Sequence, residues 1–431
     1  MFGETPLVLV ESPEALARCA EQLARARVIG VDTESDSMHH YREKVCLIQV
    51  SDLHTDFVID PLRVPDLSPL NEIFANRDQV KVFHGADYDV VCLKRDFGFK
   101  MQGIFDTMVA AQFLGLPRFG LADLIHTWWG WTLDKRLQRH DWAARPLLDE
   151  HLDYARGDSH WLPALRDIFI QRLTRCGRLD HVLEECEALE GREWQRPRHD
   201  PADFYRVKGA KQLDLRGQHV LSAVYRYRDA RAAEQDRPAY KVLPDEILWE
   251  LSSQRPESME ALLGMFRRGA PFLRRHGDGL LAAVLAGLVS EDPLPTVAEA
   301  AKREPGLRGQ RAERLMGALK DWRNREVSTK GVQPVAVVSN NALKELVRVA
   351  PRSLEELAAV PELRKWQVEC YGPLWLEIVA GVLGPERAAG SVDLAESPSP
   401  GRRRRGRREG RGPAEPVAEG SEERTGDEPT A

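Results

Sequence analysis

The sequence predicts a multidomain protein in which an α/β domain is followed by two small all-α domains and a disordered tail. Strand-like runs occur only before about residue 192, where they alternate with helical spacing. Beyond a polar connector at residues 196–203 the pattern is helical and repeats at one offset of 95 residues. Beyond about Pro385 almost no apolar residues remain. A chain of 431 residues is long enough for about three domains.

The α/β domain is predicted to begin with a three-stranded meander. Short β-branched runs at residues 28–31, 45–50 and 57–59 indicate its strands. Residues 81–84 resemble a further strand that leads into a helix from Ala86, and from Phe105 onward the apolar spacing is helical. We expect the α/β domain at 1–195, a first helical copy at 206–290, a second, divergent helical copy at 302–385 and the tail at 386–431.

The composition favours a cytoplasmic protein with no membrane partner. No run approaches about 18 apolar residues, and the N-terminus has neither a basic lead nor a cleavable small-residue site. The six cysteines show no CxxC and no metal-ligand spacing, so we expect neither disulfides nor a zinc site. The net charge of −6 means that a nucleic-acid partner would have to be held by local basic patches.

The helical repeat rests on matched positions without a gap. Tyr227-Arg228 matches Trp322-Arg323, Leu251 matches Leu346, Pro256 matches Pro351, Met259 matches Leu354 and Leu262 matches Leu357. One constant offset over this many positions is hard to obtain by chance. The sequence therefore predicts a duplicated all-α domain, with a period too long for a solenoid array.

Three acidic motifs are the candidates for chemistry. Asp32 and Glu34 end a predicted strand and are spaced by two, so they share a face. Asp89 lies at a strand-to-helix junction, where an acid also complements the helix dipole. Tyr154 and Asp158 are four positions apart and share one face of a helix. Taken alone, each motif is more simply explained by solvated surface acids or by a helix-dipole contact.

Together the motifs give four carboxylates and a phenol, a set that is typical of two-metal phosphodiester hydrolysis. Acids that converge in one site need divalent cations between them, and hard oxygen ligands select Mg²⁺ or Mn²⁺. A phenol with a reference pKa of about 10 is a poor base, so orienting the attacking water is its natural role.

The α/β segment resembles the ribonuclease D family, DEDD-superfamily 3′–5′ exonucleases with a tyrosine in the last motif and a ribonuclease H-like fold. The resemblance is carried by VDTES, FHGADYDVVCL, FDTMVAAQFLG, GLADLI, QRHDWAARPL and LDYARGDSHWL. It implies two divalent metal ions held by Asp32, Glu34, Asp89 and Asp158, with Tyr154 positioning the water. Met38 and His84 are expected substrate contacts. His140 departs from the family, which more often has a small polar residue before the Asp-Trp pair.

The helical copies resemble the helicase-and-RNase-D C-terminal (HRDC) domain, a nucleic-acid-binding module. The run VYRYRDARAAEQDRPAYKVLPDEILWELSSQRPESMEAL carries the resemblance, and the second copy diverges in its middle. Residues 206–240 hold eight Lys/Arg against four Asp/Glu, and residues 302–330 hold nine against four. Solvated helix faces or phosphate contacts explain these charges. The Arg-rich tail is either a nonspecific RNA-binding arm or a solubilising segment.

We therefore expect a monomeric 3′–5′ exoribonuclease that releases nucleoside monophosphates from RNA 3′ ends, with tRNA precursors as substrates. Two alternatives stay open. A DNA exonuclease of proofreading or repair type would use the same carboxylates, because the sugar is distinguished only by contacts to the 2′-hydroxyl. A noncatalytic nucleic-acid-binding adaptor would not need all five residues. A helicase is excluded by the absence of a GxxxxGK[ST] motif.

Overall fold

The computed structural model describes residues 5–194, 202–266, 270–294 and 306–384. The predicted tail at 386–431 and most of the predicted connector at 196–203 lie outside these residues. Within them the α/β domain is followed by two helical copies, as the sequence predicts. None of the described helices is long and apolar enough to cross a membrane.

A six-stranded mixed sheet forms the centre of the α/β domain. Its strand order is β1-β4-β3-β2-β5-β6; β2, β3 and β4 pair antiparallel, and the other neighbours pair in parallel. The strands are β1 (Leu7–Val10), β2 (Val28–Ser35), β3 (Val45–Ser51), β4 (Asp56–Ile59), β5 (Val80–Phe83) and β6 (Ile104–Asp106). The predicted meander is thereby confirmed as β2-β3-β4.

Two strands were not expected from the sequence. Residues 7–10 form β1, an edge strand of four residues that pairs only with β4. The prediction that helical spacing begins at Phe105 is wrong, because Phe105 is the central residue of β6. Asp106 ends this strand and caps the next helix, so strand and helix follow each other without a turn that the sequence could signal.

Eight helices surround the sheet in the described part of the α/β domain. They are α1 (Pro13–Leu23), α2 (Asn71–Ala75), α3 (Asp87–Phe97), α4 (Thr107–Phe113), α5 (Leu121–Trp129), α6 (Asp149–His160), α7 (Leu162–Arg175) and α8 (Leu179–Glu190). Helix α6 packs on β2, β3 and β4. Gly30 on β2 allows this approach, since a Cβ there would lie 2.3 Å from the Ser159 carbonyl oxygen.

The helical copies have matching elements. The first contains α9 (Leu215–Glu234), α10 (Ala239–Val242), α11 (Asp245–Gln254), α12 (Met259–Met265) and α13 (Pro271–Val289). The second contains α14 (Gly309–Lys330), α15 (Asn340–Val349), α16 (Leu354–Ala358) and α17 (Lys365–Leu383), with a 3₁₀ turn (Pro334–Ala336) where the first has α10. Further 3₁₀ turns lie at Ser68–Leu70, Asp203–Arg206 and Ala210–Gln212.

The same interactions recur in both copies at the offset of 95 residues. Arg228 donates to the Leu243 carbonyl and to Asp245, and Arg323 donates to the Val338 carbonyl and to Asn340. Arg255 and Ala350 end α11 and α15 in the same left-handed conformation. Ser258 and Ser353 cap α12 and α16. The duplication predicted from the sequence is therefore visible in backbone and side-chain geometry.

The second helical copy shares a core with the α/β domain. Trp366 is 5% exposed and packs against the rings of Phe113 and His181, at centroid distances of 5.6 and 4.4 Å. Its backbone and indole N–H groups donate to Glu184 and Glu185 on α8. The first helical copy instead has a core of its own, with Tyr41 of the α/β domain packed against it.

Candidate active site

Three of the predicted carboxylates meet on one side of the sheet. One ligand oxygen each from Asp32, Glu34 and Asp158 lies within 4.8 Å of the other two. We call these three residues the acid group. Asp32 and Glu34 lie near the end of β2, and Asp158 lies in the last turn of α6. As predicted, Asp32 and Glu34 share one face of a strand, and Tyr154 and Asp158 share one face of a helix. The acid group forms where these two faces meet.

Buried polar contacts fix α6, and with it Asp158, against the sheet. Arg156 donates through two nitrogens to the Asp56 carboxylate at the start of β4, and His160 contacts the same carboxylate at 3.0 Å. The hydroxyls of Ser51 and Ser159 lie 2.8 Å apart. These residues flank Asp158 on the helix, so the position of the acid follows from contacts that the metal-ligand pattern does not include.

Asp89 lies beside the acid group but outside it. It is a first-turn residue of α3, and its carboxylate accepts a hydrogen bond from the Thr33 hydroxyl on β2. The turn before α3 is held by Asp106, which accepts from the backbone N–H groups of Gly85 and Ala86 at 3.0 and 2.8 Å. The expectation that all four acids converge thus applies to three of them, with the fourth engaged by a neighbouring hydroxyl.

The carboxylates are held in an environment that disfavours their charge. Burial, with a smaller contribution from the charge of Asp89, raises the pKa of Asp158 to about 7. Burial also raises the pKa of Asp89 to about 6, although the hydrogen bond from Thr33 opposes this shift. Burial and the neighbouring carboxylates raise the pKa of both Asp32 and Glu34 well above the usual range. The site therefore favours protonated carboxylates unless a cation binds beside them.

The donor set fits divalent cations. Among the described residues no lysine or arginine forms an ion pair with Asp32, Glu34, Asp89 or Asp158. Two other buried acids of the domain do have such a partner, since Asp56 pairs with Arg156 and Asp60 pairs with Arg145. Carboxylate oxygens without a protein cation, close enough to share one ligand sphere, are what a hard metal ion requires.

Tyr154 borders the acid group from one turn earlier on α6. Burial, followed by the charges of Asp158, Glu34 and Asp32, raises the pKa of its phenol. The phenol therefore keeps its proton at neutral pH, which agrees with a role in orienting water and not with a role as a base. Its ring packs against the indole of Trp142, with centroids 5.7 Å apart.

A cavity of about 390 Å³ opens beside the acid group. It is lined by Asp32, Glu34, Asp158, Tyr154, His84, Lys135 and Gln138, among others. His84, a predicted substrate contact, lines this cavity, with its Nδ1 2.9 Å from the Thr107 hydroxyl and a pKa lowered by burial. Sequence reasoning missed Lys135 and Gln138, because the connector between α5 and α6 has no regular spacing by which to single them out.

Met38 lies outside this cavity, on the β2–β3 connector. Its side chain is 40% exposed, and its carbonyl accepts a hydrogen bond from the Tyr240 hydroxyl of the first helical copy. Two residues later in the connector, His40 contacts the Asp236 carboxylate at 2.7 Å, and Tyr41 donates to Asp229 at 2.8 Å. Met38 thus lies at the border between the α/β domain and the first helical copy. Its role as a substrate contact stays a prediction.

Comparison with known protein families agrees with these elements. Residues 7–174 match the family model described as 3′–5′ exonuclease. Residues 218–284 and residues 312–379 each match the HRDC domain. The two HRDC matches correspond to the first and second helical copies.

Individual relatives cover most of the chain. Ribonuclease D of Sphingobium indicum is 30% identical over 385 residues, which is 87% of this chain and 95% of that protein. The crystal structure of Escherichia coli RNase D, described as an exoribonuclease involved in structured RNA processing, superposes with a TM-score of 0.64. Sequence identity to it is 25%, over 86% of this chain and 98% of that one.

Other relatives are much longer. The exosome complex component 10 homolog of Caenorhabditis elegans is 34% identical over 286 residues, which is 65% of this chain. This chain spans about a third of the length of that protein and of its counterparts in Drosophila melanogaster and Mus musculus.

Proposed function

Because this chain belongs to the ribonuclease D family of 3′–5′ exonucleases, we propose that it is a metal-dependent exoribonuclease that trims RNA 3′ ends one nucleotide at a time. The observation that carries the proposal is the acid group, which lacks a protein cation among the described residues and lies beside Tyr154 in an open cavity. The products would be nucleoside 5′-monophosphates.

The residues divide the work of phosphodiester hydrolysis. Asp32, Glu34 and Asp158 would hold two divalent cations, Mg²⁺ or Mn²⁺, with Asp89 contributing through water. The chemistry that such cations supply is activation of the attacking water and neutralisation of charge on the leaving 3′-oxygen. Tyr154 keeps its proton and would direct the water toward the phosphorus through its hydroxyl.

Precursor tRNAs are the proposed substrates. The Escherichia coli relative is described as acting in structured RNA processing, and a tRNA precursor is a structured RNA with a 3′ extension. The basic residues of α9 and α14 would contact phosphates of the folded RNA body. A monomer is sufficient for this reading, because all five motif residues come from one chain. The cytoplasmic location and the domain boundaries stay predictions.

One experiment separates the proposal from its rivals. The full chain and its Asp32→Asn variant would be incubated with 3′-extended tRNA, single-stranded DNA and duplexes, in Mg²⁺, Mn²⁺ or EDTA. We expect stepwise release of mononucleotides from the tRNA extension, abolished by EDTA and in the variant. A preference for DNA would support the proofreading or repair reading, and binding without hydrolysis in every metal would support the adaptor.

A further inference from the structure

We propose that Arg145 and Trp142 are positioning residues for catalysis, which hold the ring of Tyr154 in place beside the acid group. This inference rests on the proposed function, since it assigns Tyr154 the task of orienting water. The structural basis is a chain of contacts that runs from the sheet through Arg145 to Trp142 and then to Tyr154.

The chain of contacts begins at a bidentate ion pair. The Nε and Nη2 of Arg145 donate to the two carboxylate oxygens of Asp60 at 2.6 and 2.7 Å. Asp60 follows β4 directly and is fully buried, and Nη2 also donates to the Cys46 carbonyl of β3 at 3.1 Å. Two parallel bonds to a buried carboxylate give a guanidinium one orientation, so Arg145 is anchored to two strands of the sheet.

Arg145 uses its remaining nitrogen on the connector between α5 and α6. Its Nη1 donates to the carbonyl of Trp142 at 2.7 Å and to the carbonyl of Ala144 at 2.8 Å. These bonds fix the backbone that carries the Trp142 side chain. The connector is otherwise irregular from residue 130 to residue 148, so this guanidinium replaces the ladder bonds that would position a residue in a strand or helix.

Trp142 transmits this position to Tyr154 by packing. Its side chain is 1% exposed and lies in a small core with Cys46, Leu47 and Val58. Its indole faces the Tyr154 ring at a centroid distance of 5.7 Å with an interplanar angle of 34°. A side chain this deeply buried is out of reach of RNA, so its effect on catalysis passes through the residues that it contacts.

Tyr154 needs such a support. Among the residues that the structure describes, no group forms a hydrogen bond with the phenol of Tyr154. The direction of its hydroxyl therefore depends on how the ring is packed, and the phenol lines the cavity beside the acid group. A displacement of about 1 Å in a group that orients a reactant costs up to about a hundredfold in rate.

The test is a double-mutant cycle. Trp142→Phe and Arg145→Lys would each be made in the wild-type chain and in Tyr154→Phe, and single-turnover cleavage of a short RNA would be measured at saturating Mg²⁺. We expect each substitution to lower the rate about tenfold when Tyr154 is present and less than about twofold when it is absent. RNA affinity should be unchanged in all variants.

The matched control is Trp375→Phe. Trp375 is fully buried in the second helical copy and, like Trp142, has an indole N–H without a partner among the described residues. This substitution should leave the rate unchanged. If Trp142→Phe does not fold, Arg145→Lys carries the same cycle, because the lysine keeps the charge and loses the bidentate geometry.

Equal losses with and without Tyr154 would overturn the inference, since they would show that Trp142 and Arg145 act on the fold or on other residues. Failure of the proposed function gives a different result. In that case Asp32→Asn would retain hydrolysis, or no variant including the wild type would cleave RNA, whatever the cycle shows.

Discussion

Thr33 donates its hydroxyl proton to the carboxylate of Asp89, 56 positions later in the chain. Thr33 lies between the two acids of the first motif, so this bond joins β2 to the first turn of α3 at the active site. Asp89 lies beside the acid group, close enough for its charge to add to the effect of burial in raising the pKa of Asp32, Glu34 and Asp158. Thr33, which stands between the predicted metal ligands Asp32 and Glu34, therefore orients the predicted ligand Asp89.

Substitution of Thr33 by valine tests this bond. Thr33→Val keeps the shape of the side chain but removes the donor, so the pKa of Asp89 should rise and its orientation should be lost. We expect the rate to fall about tenfold, in line with a hydrogen bond to a charged group. Thr33→Ser, which keeps the hydroxyl, is the control and should lose little. Identical rates for wild type and Thr33→Val would show that the bond has no catalytic role.

Removal of one acid-group carboxylate should abolish hydrolysis without unfolding the protein. Asp32→Asn or Asp158→Asn replaces a charged metal ligand by a neutral one of the same shape, and we expect a loss on the order of a thousandfold in rate. Without metal these variants should be more stable than the wild type at neutral pH, because the acids repel one another. Rates and melting temperatures in EDTA measure both effects. Wild-type turnover by either variant would contradict the metal site.

Loss of the Tyr154 hydroxyl should affect the chemical step alone. We expect Tyr154→Phe to slow single-turnover cleavage about a hundredfold while RNA affinity stays within about twofold, because orienting water matters mainly in the transition state. Cleavage rates at saturating enzyme and equilibrium binding in Ca²⁺ separate the two quantities. A parallel loss of affinity would instead indicate that the ring stacks on the substrate.

The metal-free protein should lose stability as the pH rises. In the folded chain the pKa of Asp89 is about 6 and that of Asp158 is about 7, above the value of about 4 expected on unfolding. The folded state therefore binds more protons between about pH 4 and pH 7, so the free energy of unfolding falls over this window.

Thermal unfolding in EDTA at pH 5 and pH 8 measures this fall. Asp158→Asn should show a smaller fall than the wild type, and Mn²⁺ at pH 8 should raise the melting temperature of the wild type only. The same fall in both proteins would assign the pH dependence to groups outside the site.

Because it shares a core with the α/β domain, the second helical copy should stabilise the nuclease. Trp366 is buried between α4, α8 and its own copy. Trp366→Ala should therefore lower the free energy of unfolding by about 3–5 kcal/mol. Trp249→Ala, at a site 39% exposed on the first helical copy, is the control and should cost much less. Denaturant unfolding measures both. An equal and small effect would mean that the interface contributes little stability.

The sequence places each motif pair on one face of its own element because the signal for that element is local. Asp32 and Glu34 alternate along a strand, and Tyr154 and Asp158 follow the helical period, so each pair is placed by its own element. The helical repeat could also be predicted from the sequence, because one offset of 95 residues relates positions such as Arg228 and Arg323. These predictions need no knowledge of how distant segments pack.

The parts that escaped prediction depend on contacts across the fold. Nothing in the spacing of Thr33 and Asp89, or of Arg145 and Asp60, shows that they meet. The burial of Trp366 against α8 also depends on the docking of one domain on another. Strand β6 was missed for a simpler reason, since three residues followed at once by a helix give no period to detect.

Gly30 allows α6 to approach the active-site strand β2 closely because it has no side chain. The Ser159 carbonyl oxygen would lie only 2.3 Å from a Cβ at this position, and Ser159 directly follows Asp158. This close approach of two main chains therefore helps to set the span between the carboxylates of β2 and α6. An alanine at this position would push α6 away from β2 and widen that span. Position 30 lies two residues before Asp32, and an alanine there carries no charge. The spacing of the catalytic carboxylates thus depends on a residue that contributes no side-chain atom to the site.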